Sequence, residues 1–382
     1  MNRLSLELSE EAVVGNLAAL RRLAGPATTL MGVVKADAYG HGLVPFSRLL
    51  VRHGIRRLAV AHAEEAFLLR EAGVDVPILV LGFDSVGDLP DLVRAEIGQC
   101  VYAESQARAL SRAAVAQARR ARVHLEFDTG LCRYGFDPAH TAPLERIAAL
   151  GHLAVEGLCT HLAGTAPHQV DEHLTRFAEA CRRATAALGR LPARHALASP
   201  GLAAGLHRHA PLEMVRPGIL LYGLGPSHMP SLLPDLPEFR PVLSMTSRIE
   251  QLHCVAAGTR VGYGGTYVTP GPSLIATVPA GFADGLPKAL GGTGRVLVGG
   301  RPAPIVGQVG MAHINVDVTA VPGVATGDRV VLLGGQGEHR LGVQEWADAA
   351  GTINTEVLVR LAPTVPRTVR PLPYPTTKER CA

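Results

Sequence analysis

Apolar residues gather in eight short runs along the first 223 positions. They are TLMGVVK (29–35), RLAVA (57–61), PILVLGF (77–83), CVYAE (100–104), RVHLEFD (122–128), LAVEGLCTH (153–161), ARHALAS (193–199) and MVRPGILLYG (214–223). Each is short enough and rich enough in branched side chains to read as a strand. Helix-like stretches lie between most of them, AEEAFLLREAG (63–73) being the clearest because it ends on glycine. Near the N-terminus, Val13, Leu17 and Leu20 recur at helical spacing behind Ser9, a good N-cap, with Glu10 and Glu11 where the helix dipole favours acids. Strand and helix alternating eight times predict an α/β fold, an N-terminal (β/α)8 TIM-type barrel. An open doubly wound sheet would serve the same alternation.

The pattern changes around PDLPEFRPVL (234–243). Short glycine-punctuated β-type runs follow at 273–280, 295–300, 303–309, 313–318 and 328–334, with one helix near 343–351. The chain therefore divides into a barrel over 1–235 and a mainly β domain over 236–382, with the first residues as candidates to pair with the second domain.

Composition narrows the function classes. The chain has 382 residues, 47% hydrophobic and 18% charged, as expected of an ordinary folded protein. No window approaches the roughly 20 apolar residues of a membrane span, and MNRLSLELSEEAVVGNL lacks the apolar core of a signal peptide, so a cytoplasmic protein is expected. A net charge of +4 spread along the chain, with 4% aromatics, gives little support to a nucleic-acid surface. The six cysteines (100, 132, 159, 181, 254, 381) show neither a C-x-x-C pair nor metal-ligand spacing, so reduced structural thiols and no metal are expected.

Only three lysines occur, Lys35, Lys288 and Lys378; nearly every other cation is arginine. A lysine differs from arginine in being able to shed its proton and act as a nucleophile. Lys35 ends the first run, within VVKADAYGHG, where Tyr39 and the Gly40–His41–Gly42 turn follow it. Arg133, His161, Ser199 and Arg216 also lie at the ends of runs, the face of a barrel that carries chemistry. Beyond Arg216, the backbone N–H groups of Gly218 and Ile219 in a Pro-Gly turn suit an anion, and Ser199 adds a hydroxyl. A phosphate-bearing cofactor with a reactive aldehyde accounts for the lysine and the anion cradle together. The plain alternative is a lysine at a strand end reaching into water.

VVKADAYGHG resembles the pyridoxal-phosphate lysine motif of the alanine racemases. EFDTGLCRYGF, VEGLCTHLAG, VRPGILLYG, VGYGG, PAGFADG, VGQVGMAHINVDV and GTINTEVLVRL echo family segments in the same order over essentially the whole chain. The resemblance implies pyridoxal 5'-phosphate, a small amino-acid substrate and a homodimer whose sites form between one subunit's barrel and the other's β domain. It makes Lys35 the Schiff-base lysine and the base on one face of the substrate, and Tyr263 the base on the opposite face. Tyr39, Ser199, Gly218 and Ile219 correspond to phosphate contacts, and Arg216 to the arginine at the pyridine nitrogen. Arg133 and the backbone of Met311 correspond to groups near the cofactor oxygen and substrate carboxylate, His161 and His195 to histidines around the ring. D-amino-acid biosynthesis is the expected setting.

The sequence departs from the family around the site. Glu126 stands where many members have a lysine that becomes carbamylated and steers the arginine matching Arg133, so a Glu126–Arg133 pair is expected. Thr355 and Phe282 stand where tyrosines are usual at the entrance. Gly310 and Ala312 replace a cysteine and an acid beside Met311, and Ala198 replaces an asparagine. Two missing phenols imply a roomier mouth, accepting serine or a larger amino acid; drift in a tolerant site is the alternative. A decarboxylase of the same fold, or a non-catalytic pyridoxal-phosphate protein, are the competing readings. Tyr263 argues against the first, and the second domain against the single-domain carriers.

Overall fold

The computed structural model describes residues 3–83, 85–140, 142–206, 212–225 and 239–372. The expected boundary at 235/236 lies outside the described residues. The chain forms two compact units, one of Gly15–Ala38 and Phe46–Phe239, the other of Met1–Val14, Tyr39–Pro45 and Arg240–Ala382.

A strand comes first, β1 (Leu4–Ser9), in the residues expected to be able to pair with the second domain. Its LSLELS alternation buries Leu4, Leu6 and Leu8 on one face. Helix α1 (Glu10–Ala24) follows, capped by the Ala12 N–H donating to Ser9 Oγ at 3.2 Å, with Val13, Leu17 and Leu20 buried as their spacing predicts.

The larger unit contains β2 (Thr29–Val33), β3 (Arg57–Val60), β4 (Ile78–Val80), β5 (Gly98–Val101), β6 (Ala121–Glu126), β7 (Leu153–Cys159), β8 (Ala193–His195) and β9 (Met214–Val215). All eight predicted runs supply one strand each. Pairing is parallel throughout, in the order β8-β7-β6-β5-β4-β3-β2-β9. The ends of that order are joined by an isolated parallel bridge between Ala198 and Arg216, with the Arg216 N–H donating to Leu197 O at 2.8 Å. This nearly closed sheet is the predicted barrel. In-register neighbours in a parallel sheet share a face. Cys100 is level with His124, His124 with Gly157, and both Glu126 and His195 with Cys159. These six positions form one polar-lined face, all buried.

The smaller unit is built on a mostly antiparallel sheet, with β10 (Leu243–Arg248) pairing β1 and a strand at Arg367–Arg370 adding to β1 in parallel. Its other strands include the five predicted runs, and a helix at Val343–Ala350 fits the one expected near 343–351. Among the described residues, no helix is long and apolar enough to cross a membrane.

Candidate active site

Lys35 lies two residues beyond β2. From Ala36 to Tyr39 the backbone turns left-handed, with φ of 54°, 53°, 52° and 53° at four consecutive residues that carry side chains. That conformation costs about 1–2 kcal/mol per residue, so neighbouring contacts must impose it. The Ala38 N–H donates to Val34 O at 2.9 Å, His41 Nδ1 meets Tyr39 O at 2.9 Å, and Arg367 Nη2 donates to Gly40 O at 3.0 Å. Gly40, at φ 76°, closes the turn so tightly that a Cβ there would lie 2.0 Å from Leu358 O. The turn leaves the Lys35 amine half-buried at the end of its strand. Burial, then the positive charges of Arg133 and Arg216, lower its pKa, opposed by Glu65. Burial pushes the Tyr39 phenol up to about 12.

Arg216 is buried, and its guanidinium is fixed by carbonyl and imidazole acceptors. It donates to His195 Nδ1, to His195 O at 2.9 Å and to Thr160 O at 2.7 Å, and lies 3.3 Å from His161 Nδ1. An arginine can only donate, so His195 accepts through Nδ1 and carries its proton on Nε2. That proton is donated to His124 Nδ1 at 2.7 Å. The direction of the chain Arg216→His195→His124 therefore follows from chemistry. Burial, with Arg216 adding to it, holds His195 well below the usual imidazole range, and His124 and His161 at about 3. Neutral rings are what the chain needs.

His124 was not singled out in the sequence, although the alternation of RVHLEFD sets it two residues from Glu126 on the same strand face. Its room comes from Gly157, where a Cβ would sit 2.2 Å from His124 Nδ1. Gly157→Ala is expected to cost about 1–3 kcal/mol of stability through overpacking and to weaken cofactor binding by displacing His124. Urea midpoints and cofactor titration check this. Adding His124→Ser should recover much of the stability loss, and strictly additive losses would refute the packing account.

Ser199 lies just past the closing bridge. Its Oγ accepts from the Gly218 N–H at 2.9 Å and the Leu220 N–H at 3.3 Å. The expectation of a free Gly218 amide is corrected: an incoming anion would exchange its own contact for the one Ser199 holds. Ile219 begins the following turn and is buried. Hydroxyl, amides, a depleted lysine and a pinned arginine are the donor set that a phosphorylated pyridine aldehyde requires, so the residues present fit that cofactor.

Glu126 is buried, 7% exposed, and burial raises its pKa against the pull of Arg216 and Arg133. The expected direct pair with Arg133 is absent: among the described residues no hydrogen bond or ion pair joins them. Arg133 is instead exposed, its guanidinium carbon 5.7 Å from the Tyr134 ring centroid. The shorter glutamate stem explains the gap.

The smaller unit holds the remaining candidates. Tyr263 is 75% exposed and Met311 64% exposed. Phe282 is joined to the Met311 loop by its N–H donating to Gly310 O at 3.0 Å and by the Ala283 N–H donating to Met311 O at 3.0 Å. A methyl on Gly310 would lie 3.7 Å from the Tyr263 ring, so that ring lies beside the segment carrying Met311. Lys288 Nζ sits 5.6 Å from the Phe282 ring centroid, a cation–π contact. Thr355 is half-buried in a helix at Asn354–Val359.

Two family profiles match the chain: alanine racemase, N-terminal domain, over residues 8–226, and alanine racemase, C-terminal domain, over residues 242–369. An alanine racemase of Halothermothrix orenii is 38% identical over 356 residues, 92% of this chain and 93% of its own. A solved alanine racemase from Clostridium difficile superimposes with a TM-score of 0.90 at 30% identity, covering 97% of this chain and 96% of that one. A solved histidine racemase from Leuconostoc mesenteroides gives a TM-score of 0.86 at 28% identity, covering 97% and 98%.

Proposed function

Because this chain belongs to the alanine racemase family and is a pyridoxal-phosphate-dependent amino-acid racemase, we propose that Lys35 and Tyr263 are its two bases. The observation carrying this reading is the Lys35 amine, fixed by a strained turn and depleted in proton affinity by burial and two arginines. When bound, the cofactor supplies an electron sink that makes the Cα proton of an amino acid removable. Lys35 takes or returns that proton on one face. A single base would only hand the proton back where it came from, so inversion needs a second group opposite. We assign this to Tyr263 of the partner subunit in a homodimer, since its own protomer leaves that phenol in water.

The other residues hold and orient. Ser199, with the Gly218 and Ile219 amides and Tyr39, would hold the phosphate. Arg216 would face the pyridine nitrogen, keeping its proton because a guanidinium does not give one up near neutral pH. Its acceptors are neutral histidines and carbonyls, so it stays aimed without a carboxylate partner. Arg133 and the Met311 amide would meet the substrate carboxylate. A cytoplasmic supply of D-amino acids fits these parts.

We further infer that the substrate range extends past alanine. Phe282 and Thr355 supply less polar reach than the expected phenols, and one structural neighbour is named a histidine racemase. Initial racemisation rates on alanine, serine and histidine test this. Serine is expected to react within about tenfold of alanine, the effect a small side-chain change has in a tolerant pocket. An alanine preference above about 200-fold would remove the inference.

A further inference from the structure

We propose that Cys100, Glu126 and Cys159 bind one zinc-type divalent cation inside the barrel. The three buried side chains come from consecutive strands β5, β6 and β7, and their ligand atoms all lie within 4.8 Å of one another. The ligands belong to three separate runs, so no spacing in the sequence exposed them, and the expectation of no metal rested on spacing alone.

The alternative uses of this cluster are weaker. Cys100 and Cys159 sit two strands apart, about 9–10 Å between Cα atoms at the usual strand spacing. A disulfide needs about 4.4–6.8 Å, so oxidation would require the barrel to deform. Metal ligation has no such conflict. Tetrahedral zinc with sulfur at about 2.3 Å wants ligand atoms about 3.5–3.8 Å apart, a contraction that side-chain rotation supplies.

Glu126 points the same way. It is more than nine-tenths buried, and among the described residues its carboxylate receives no hydrogen bond. A carboxylate with so little access to water, and with no hydrogen bond of its own, gains from a cation that pairs with it. Thiolates select a borderline-soft ion over magnesium or calcium. Arg216 and Arg133 act electrostatically on the carboxylate, and three anionic ligands outweigh the double charge of the ion, so the loaded cluster stays attractive to both arginines. Binding releases the two thiol protons to solvent while each sulfur donates an electron pair to the ion. A water completes the fourth position.

The test uses the full-length, cofactor-loaded protein carrying Cys132→Ser, Cys254→Ser and Cys381→Ser. It is prepared from zinc-supplemented cells, and separately stripped with chelator and reloaded. Metal analysis is expected to find one zinc per chain. Cadmium titration is expected to add near-ultraviolet thiolate charge-transfer absorbance of two sulfurs. Cys100→Ser and Cys159→Ser should each weaken binding at least about tenfold, and Glu126→Gln should weaken it while leaving both thiolate bands. Circular dichroism and the cofactor spectrum verify folding of each variant. Absence of bound metal in both preparations overturns the proposal, as does undiminished binding in a folded Cys100→Ser/Cys159→Ser variant.

Discussion

Lys35→Ala is expected to eliminate the absorbance of lysine-linked cofactor and to lower racemisation about 10⁴-fold or more, because in the proposed mechanism one amine both holds the cofactor and moves a proton. The size of the loss follows from the lack of a substitute. Arginine cannot give up its proton to take over either task, and the buried histidines His161, His195 and His124 are held neutral around Arg216. The sign of the pH effect follows too. A pKa lowered from 10.5 by burial and two arginines enlarges the neutral fraction at any pH below that value. The acid limb of the parent's rate profile should therefore fall below the ordinary lysine range. A small primary amine added to Lys35→Ala should restore part of the exchange at Cα. If the variant keeps more than about a tenth of parent turnover at full cofactor occupancy, the assignment of Lys35 fails.

Local order carried much of this reading, and distant partners account for what escaped it. The eight apolar runs were visible because a buried parallel strand is apolar by itself, whatever it pairs with. The first residues show as candidates to pair with the second domain, but LSLELS alone names no partner, since β10 and the strand at Arg367–Arg370 lie hundreds of residues away. The left-handed turn after Lys35 is only partly local in cause. Ala36, Asp37, Ala38 and Tyr39 include no glycine, and beside the bonds within the segment it is Leu358 and Arg367, far along the chain, that close on Gly40. His124 shows the middle case. Its strand face was readable from the alternation, but its place beyond His195 depended on Gly157 being too small to exclude it. Glu126 was legible as a substitution and misread as a partner, because the reach of its stem is a matter of geometry.

Tyr263→Phe separates proton removal from inversion, and it also tests where the site is built. With the phenol gone, Lys35 can still exchange the Cα proton of one enantiomer with solvent deuterium, but the opposite face has no donor. Racemisation should fall about 10²–10⁴-fold, while exchange without inversion persists for the enantiomer whose proton faces Lys35. Equal losses in exchange and inversion for both enantiomers would show that the phenol is structural. The exposure of Tyr263 on its own protomer predicts a further result. Mixing Lys35→Ala and Tyr263→Phe proteins, then dissociating and reassociating them, makes heterodimers in which one site receives an intact lysine and an intact tyrosine. Random pairing in a two-fold dimer restores about a quarter of parent activity from two nearly inactive proteins. A site contained within one subunit gives no recovery, because every barrel would then keep its own damaged residue.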